Sequence, residues 1–207
     1  TLAYRDMGYL PEAMTAYLLR LGWSHGDQEI FTFDEAAEVF SIAGLNKAPA
    51  RLDFAKLNDV NASFIRQCDP ARLLRLLMPE IAALTEVTPA LEARLQAALP
   101  TLRERGATLP ALAQSCRFLW DSNADALTKN ARKALREDGL NRLSLLREAL
   151  DQVENWSIEA VQDVLQSYCA AHNLGMGQVG PPLRAALTGG LPAPDLAPVV
   201  AWLGRDE

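Results

Sequence analysis

The sequence predicts an all-α fold, on three observations. Apolar residues recur at three- and four-residue spacings through nearly the whole chain. Cap signals, a Ser, Thr or Asp just ahead of a proline or three residues ahead of an acid, stand before several of those stretches. No stretch alternates apolar and polar residues as a half-buried strand does, and neither a fixed-period repeat nor a low-complexity segment is present.

Taken in order, Pro11 suits a helix's first turn, where a missing N–H costs nothing. Leu10, Met14, Tyr17, Leu18 and Leu21 form its stripe, and Gly22 stops it. Residues 24–28, SHGDQ, read as a polar turn. Thr32 and Glu35 have capping-box spacing and open a short helix with Ala36, Val39 and Phe40 inside. A loop over 44–49, with Asn46 and Lys47, leads to a helix from Asp53 that carries Phe54, Leu57, Val60 and Phe64. Lys56, Asn61 and Arg66 then fall off the apolar stripe.

Asp69-Pro70 is a cap followed by a first-turn proline and marks a boundary; the helix after it uses Leu73, Leu74 and Leu77. Thr88-Pro89 repeats the signal before Leu91, Leu95, Ala98, Leu99 and Leu102, with Pro100 expected to kink that helix. Gly106 ends it and Thr108 caps a helix bearing Leu109, Leu112, Cys116 and Leu119. A second boundary falls at residues 121–123. Leu127 and Leu135 predict a further helix stopped at Asp138-Gly139, and Leu143, Leu146, Leu150 and Val153 another. Ser157 caps a helix with Val161, Val164, Leu165 and Tyr168 inside. The last runs from Asp195 through Leu196, Val199, Val200 and Leu203.

Between these two lies GQVGPPLRAALTG, residues 177–189. Its prolines, Pro181 and Pro182, predict a helix start, and Gly189 and Gly190 its stop. That puts Arg184 in the first turn of an apolar helix, although a helix by itself prefers cations in its last turn. The arginine is expected to point at something outside the helix, against the plainer reading of a solvated cation.

A chain of 207 residues can bury a good core, and no apolar run reaches the ~18 residues that span a bilayer. The first ten residues lack the layout of a signal peptide. Cys68, Cys116 and Cys169 lie far apart without a CxxC, which argues against zinc and disulfides and for a reducing cytoplasm. The net charge of −6 speaks against a nonspecific nucleic-acid binder but leaves room for a local basic patch. The densest basic run is Arg132, Lys133, Arg136, Arg142 and Arg147, whose plain reading is a solvated helix face. There is no phosphate-cradling glycine loop, no GxSxG and no HExxH, so no catalytic residue or metal ligand is assigned.

Five stretches, in order, resemble the C-terminal region of bacterial glutamyl-tRNA synthetases. Residues 3–23, AYRDMGYLPEAMTAYLLRLGW, are similar to the segment after that family's second ATP-binding signature. Residues 53–66, DFAKLNDVNASFIR, resemble FDxxKLxWLNxxYIR, with departures at Asp59, Ala62 and Phe64. Residues 108–120, TLPALAQSCRFLW, resemble TLxELAxxxRYFF, and the 177–189 stretch resembles QPLRxALTG. Trp202-Leu203-Gly204 falls at the family's closing LLG.

The resemblance implies a stem-contact helical unit over 1–68, an anticodon-binding bundle over 69–120 and an anticodon-binding helical cage over 121–207. It implies tRNA contacts through Lys56, Asn61 and Arg66 at the inner stem, and anticodon contacts through Arg105, Arg184 and Leu196. Gln166 falls where some members carry arginine. The HIGH-like and KMSKS-like signatures are not in this sequence, so ATP and Mg would belong to a catalytic domain outside it, and the expected cofactor here is none. The expected partners are glutamate tRNA and that N-terminal catalytic domain, with no membrane and a monomeric state. A helical scaffold that keeps the fold but binds protein is the alternative, mildly favoured by the acidic charge.

Overall fold

The computed structural model describes residues 2–25, 28, 30–46, 51–122 and 124–205, without the side chain of residue 137. Lys47 and residues 26, 27, 49 and 123, parts of the expected turn, loop and boundary, lie outside the described residues. Among those described, the chain forms twelve α-helices and four single-turn 3-10 helices, with two isolated bridges and no strand. The fold is all-α. It groups into two compact units, Thr1–Leu84 with Leu99–Gln114, and Thr85–Ala98 with Ser115–Glu207.

In the first unit, α1 (Leu2–Asp6), α2 (Pro11–Gly22), α3 (Phe33–Val39), α4 (Phe54–Gln67) and α5 (Pro70–Ala82) follow the local chemistry. Thr32 and Glu35 close both halves of their capping box. Asp53 accepts from Ala55 N at 2.8 Å and Lys56 N at 3.3 Å, and Asp69 accepts from Arg72 N at 2.8 Å. Leu57, Ile65, Leu73, Leu77 and Ile81 are fully enclosed, each contributing roughly 1.5–3 kcal/mol of burial. Gly8 holds φ +82° in the turn before α2, where a Cβ would run into Pro110 and the Leu109 amide.

The buried face of α2 differs from the expected stripe. Leu10, Ala13, Ala16 and Tyr17 are buried, while Leu18 is 54% exposed. The two alanines allow a close approach to α4, and Tyr17 fixes the rotation. Its hydroxyl accepts from Asp53 N at 2.7 Å and donates to Asp53 O at 3.0 Å. α3 buries nothing, and Phe40 lies past its end, its ring centroid 5.6 Å from that of Trp23.

α6 (Pro89–Leu102) runs through Pro100 and passes from the second unit into the first, where a 3-10 turn, Arg103–Arg105, ends it. α7 (Leu109–Ser115) is shorter than expected, because a separate 3-10 turn, Arg117–Leu119, follows it.

The rest of the second unit is α8 (Lys129–Ala134), α9 (Glu137–Asp151), α10 (Ile158–Ala171), α11 (Met176–Thr188) and α12 (Leu196–Leu203). Leu146, Val161, Leu165, Val179, Leu183 and Val200 belong to its core. Asp138-Gly139 does not stop a helix; it lies in the first turn of α9. A Cβ at Gly139 would run into the carbonyl of Ala134, so this glycine serves a tight approach, not a chain break.

α11 begins five residues before the prolines that were expected to open it. Gln178 Oε1 accepts from Gly175 N at 3.1 Å and caps the helix there. Pro182, inside the helix, removes the N–H that would meet the Gln178 carbonyl. Arg142 Nη1 donates to that carbonyl at 3.3 Å instead, which a local reading cannot foresee.

Candidate nucleic-acid interface

The expected contact residues of the first unit separate into three kinds. Asn61 was expected at the surface and is 0% exposed. Its Oδ1 accepts from Leu10 N at 2.8 Å, and its Nδ2 donates to Ala107 O at 2.6 Å. It staples the turn before α2 to the segment before α7 and is enclosed away from any ligand. This corrects the expectation of a stem contact at Asn61: it lies on the buried face of α4 with Leu57, Val60 and Phe64, not off it, and a polar residue is buried when backbone groups satisfy it. Lys56 is part-buried in the first turn of α4 and has an intramolecular partner.

Arg66 and Arg105 remain at the surface, one on α4 and the other on the 103–105 turn that packs against it. Arg66 Nε lies 3.8 Å from Glu104 Oε2, with the two side chains 41% and 58% exposed. Such a pair is screened by water and holds Arg66 only loosely. Arg105, the next residue, is exposed and has no hydrogen-bond or ion-pair partner among the described residues. Its guanidinium is free to meet a base or phosphate.

The same unit holds a partly buried ion pair, Arg72 with Glu12. Burial alone would raise the Glu12 carboxyl, but the hydrogen bond from Arg72, a backbone N–H and the Arg72 charge together outweigh it and hold the group below the usual carboxylate value.

In the second unit Arg184 sits in the second half of α11, not its first turn. Its Nη1 donates to Ala193 O at 3.0 Å and Pro194 O at 3.1 Å. Thr188, fully buried, has its Oγ1 2.8 Å from Arg184 O and 3.1 Å from Leu191 O. The two residues bind the 191–195 loop to α11. The arginine does point outside its helix, and what it meets first is this loop. Nε and Nη2 have no partner among the described residues, so one edge of the guanidinium stays open.

Leu196, the expected apolar contact, is 9% exposed and belongs to the core with Val179 and Leu183. Its side chain packs inward, close to Gly180, so it offers little surface to a base; the expectation of an exposed apolar contact is corrected. Gln166 is exposed on α10.

The basic run divides. Lys133, Arg136 and Arg142 line a groove with Asn130, Gly177, Gln178 and Pro181, and Lys129 and Arg132 line its extension. Arg147 lies apart, beside Leu150 and Trp156. Sequence reasoning found the cations but not the contribution of α11, whose freed carbonyl recruits Arg142. Tyr168 donates to Arg142 O at 3.1 Å and steadies the same helix. Burial raises its hydroxyl above the ordinary tyrosine value, against the opposing effect of Arg142.

Comparison with known proteins accounts for this arrangement. A family model described as an anticodon binding domain matches residues 72–207. One described as the catalytic domain of class I tRNA synthetases (E and Q) matches residues 1–59. The junction between the two matches falls inside the first compact unit. The glutamate–tRNA ligase 1 of Hyphomonas neptunium is 56% identical over the full chain, which spans 43% of that protein. Glutamate–tRNA ligase 2 of Maricaulis maris is 48% identical over 99% of the chain and 44% of its own length. The solved structure of a glutamate tRNA ligase from Elizabethkingia meningosepticum, crystallised with its amino acid, is 26% identical. It superposes with a TM-score of 0.85 over 98% of this chain and 40% of that one. The chain thus spans less than half the length of the curated relatives. It belongs to the anticodon-binding-domain family, in the form found in the C-terminal part of glutamate–tRNA ligases.

Proposed function

We propose that this chain binds the anticodon loop and inner stem of glutamate tRNA for a glutamate–tRNA ligase. The observation that carries the reading is the anticodon-binding-domain match over residues 72–207, together with relatives named as glutamate–tRNA ligases along the whole chain. In this reading residues 1–68 approach the stem, through Lys56 and Arg66, and residues 69–120 and 121–207 hold the anticodon. Glutamyl-adenylate forms in a separate catalytic domain with ATP and Mg, and the protein works as a cytoplasmic monomer.

Two arginines read bases. Single-stranded loops are recognised through splayed bases, by hydrogen bonds to their edges and by stacking on planar groups, and a guanidinium supplies both. Arg184 offers its open Nε–Nη2 edge from a position fixed by the 193–194 carbonyls. Arg105 projects from a helix end and reads the third anticodon base. Glutamate anticodons end in C and glutamine anticodons in G. Cytosine presents the acceptors O2 and N3 to the arginine fork, whereas guanine presents N1–H and an amine, donors facing donors. The mismatch leaves a donor unpaired at about 1–3 kcal/mol, on the order of tenfold to a hundredfold in preference at the middle and top of that range.

A gel-shift titration of the chain with glutamate tRNA against an unrelated tRNA tests the reading. Tighter, salt-sensitive binding of glutamate tRNA is expected, with no glutamate-dependent ATP–pyrophosphate exchange. Equal affinity for both RNAs refutes the assignment, and exchange above blank refutes the separate catalytic domain.

A further inference from the structure

The most concentrated charge of the chain lies outside the residues assigned above. Lys129 to Arg142 holds five cations, Lys129, Arg132, Lys133, Arg136 and Arg142, against Glu137 and Asp138, in a chain of net charge −6. Lys129, Arg132, Lys133 and Arg136 have no ion-pair or side-chain hydrogen-bond partner among the described residues. A convex helix face would disperse these charges into solvent. Here they line a concave surface between α8, the start of α9 and the first turns of α11, with Asp138 the single acid among the lining residues of the inner groove.

The polar backbone of α11 completes this surface. Arg142 is held over the groove by the Gln178 carbonyl, which Pro182 leaves without its helical donor. Gly177 and Gln178, in the first turn of α11, line the wall. Gly177, Pro181 and Arg184 then follow at spacings of four and three residues, one stripe of that helix. Gly177 and Pro181 are exposed and Arg184 half-buried, so the stripe leads across the surface from the groove to the open guanidinium edge. It covers about 10 Å along the axis, a distance that a few nucleotides span.

We propose that the groove takes the phosphate backbone of the same RNA strand whose base Arg184 holds. The inference rests on the tRNA reading above and adds to it where the strand goes after the base. Phosphodiesters fit the chemistry: the groove is lined by cations from α8 and α9 and carries donors at fixed and flexible positions. Contacts of this kind raise affinity for any RNA without choosing the sequence.

The test is a salt titration of the 207-residue chain with glutamate tRNA, comparing the parent with Lys133→Gln/Arg136→Gln. An Arg51→Gln/Arg75→Gln control makes the same charge change at exposed positions of the first unit. The groove variant should flatten the slope of log affinity against log salt by about 1.4–1.8, two phosphate contacts' worth. It should weaken glutamate tRNA and an unrelated tRNA by the same factor, and the control should match the parent. Lys129→Gln/Arg132→Gln, in the adjoining part of the groove, repeats the result independently of the α9 start. Groove variants that match the control overturn the proposal. So does a loss confined to glutamate tRNA, which would make these side chains base readers. A parent chain that binds no tRNA overturns the functional reading, and this inference with it.

Discussion

Arg105 and Arg184 are two arginines expected to do one job, and their surroundings differ. Arg184 is fastened: Nη1 is shared between two loop carbonyls, and Thr188 stands between the same helix and the same loop. Arg105 ends a 3-10 turn and has no hydrogen-bond or ion-pair partner among the described residues. A fastened guanidinium has already given up its rotamer freedom, so binding a base there costs less entropy. It also serves the fold, and its removal has two consequences. A free guanidinium serves binding alone. The pair therefore separates positioning from recognition within one chain.

Asn61 marks the fully structural end of this scale. Asn61→Ala leaves the buried Leu10 amide and the part-buried Ala107 carbonyl without this partner, the buried amide costing roughly 1–3 kcal/mol and the carbonyl less. Chemical denaturation should show a loss of about 2–4 kcal/mol. A loss under about 0.5 kcal/mol would mean that water replaces the amide and that the staple is not structural.

Arg184→Ala comes next. Two loop hydrogen bonds at about 1 kcal/mol each should be lost from stability, and about 1–3 kcal/mol from tRNA affinity. Denaturation and a tRNA titration on the same preparation separate the two. Stability lost with affinity unchanged would make Arg184 a loop clasp and nothing more.

The pH dependence of the Glu12–Arg72 pair gives a smaller effect. Because the Glu12 carboxyl is held below its unfolded value, its contribution is complete above the ordinary carboxylate range and fades as pH falls through the folded value. Both side chains are partly exposed, so about 1 kcal/mol or less is expected. Glu12→Gln should flatten the acid limb of a stability–pH curve relative to the parent. An unchanged limb would show that the pair is fully screened. Arg105→Gln is the smallest in stability, within about 0.5 kcal/mol of the parent, since it breaks no hydrogen bond or ion pair among the described residues.

What the sequence made legible follows the range of the interactions involved. The caps at Thr32, Asp69 and Ser157 act over three residues, and each is found where the pattern places it. Gly139 and Pro182 were read as local punctuation, but their meaning is tertiary: one lets Ala134 come close, the other leaves a carbonyl to Arg142. Asn61 falls off the stripe read from Phe54, Leu57, Val60 and Phe64 and so reads as a surface residue, although its partners lie about fifty residues away in either direction. The arginines were legible as candidates through the family motifs. Which one is fastened was not, because the answer depends on the carbonyls of a loop, and carbonyls have no sequence signature.

The account stands most directly on whether Arg105 reads the third anticodon base. The measurement is the affinity of the parent chain and of Arg105→Gln for glutamate tRNA carrying C or G at that base. The parent should prefer C by at least tenfold, and the variant should lose most of that preference while its stability stays put. A parent without preference, or a variant that keeps it in full, would contradict the assignment of the free arginine as the reader.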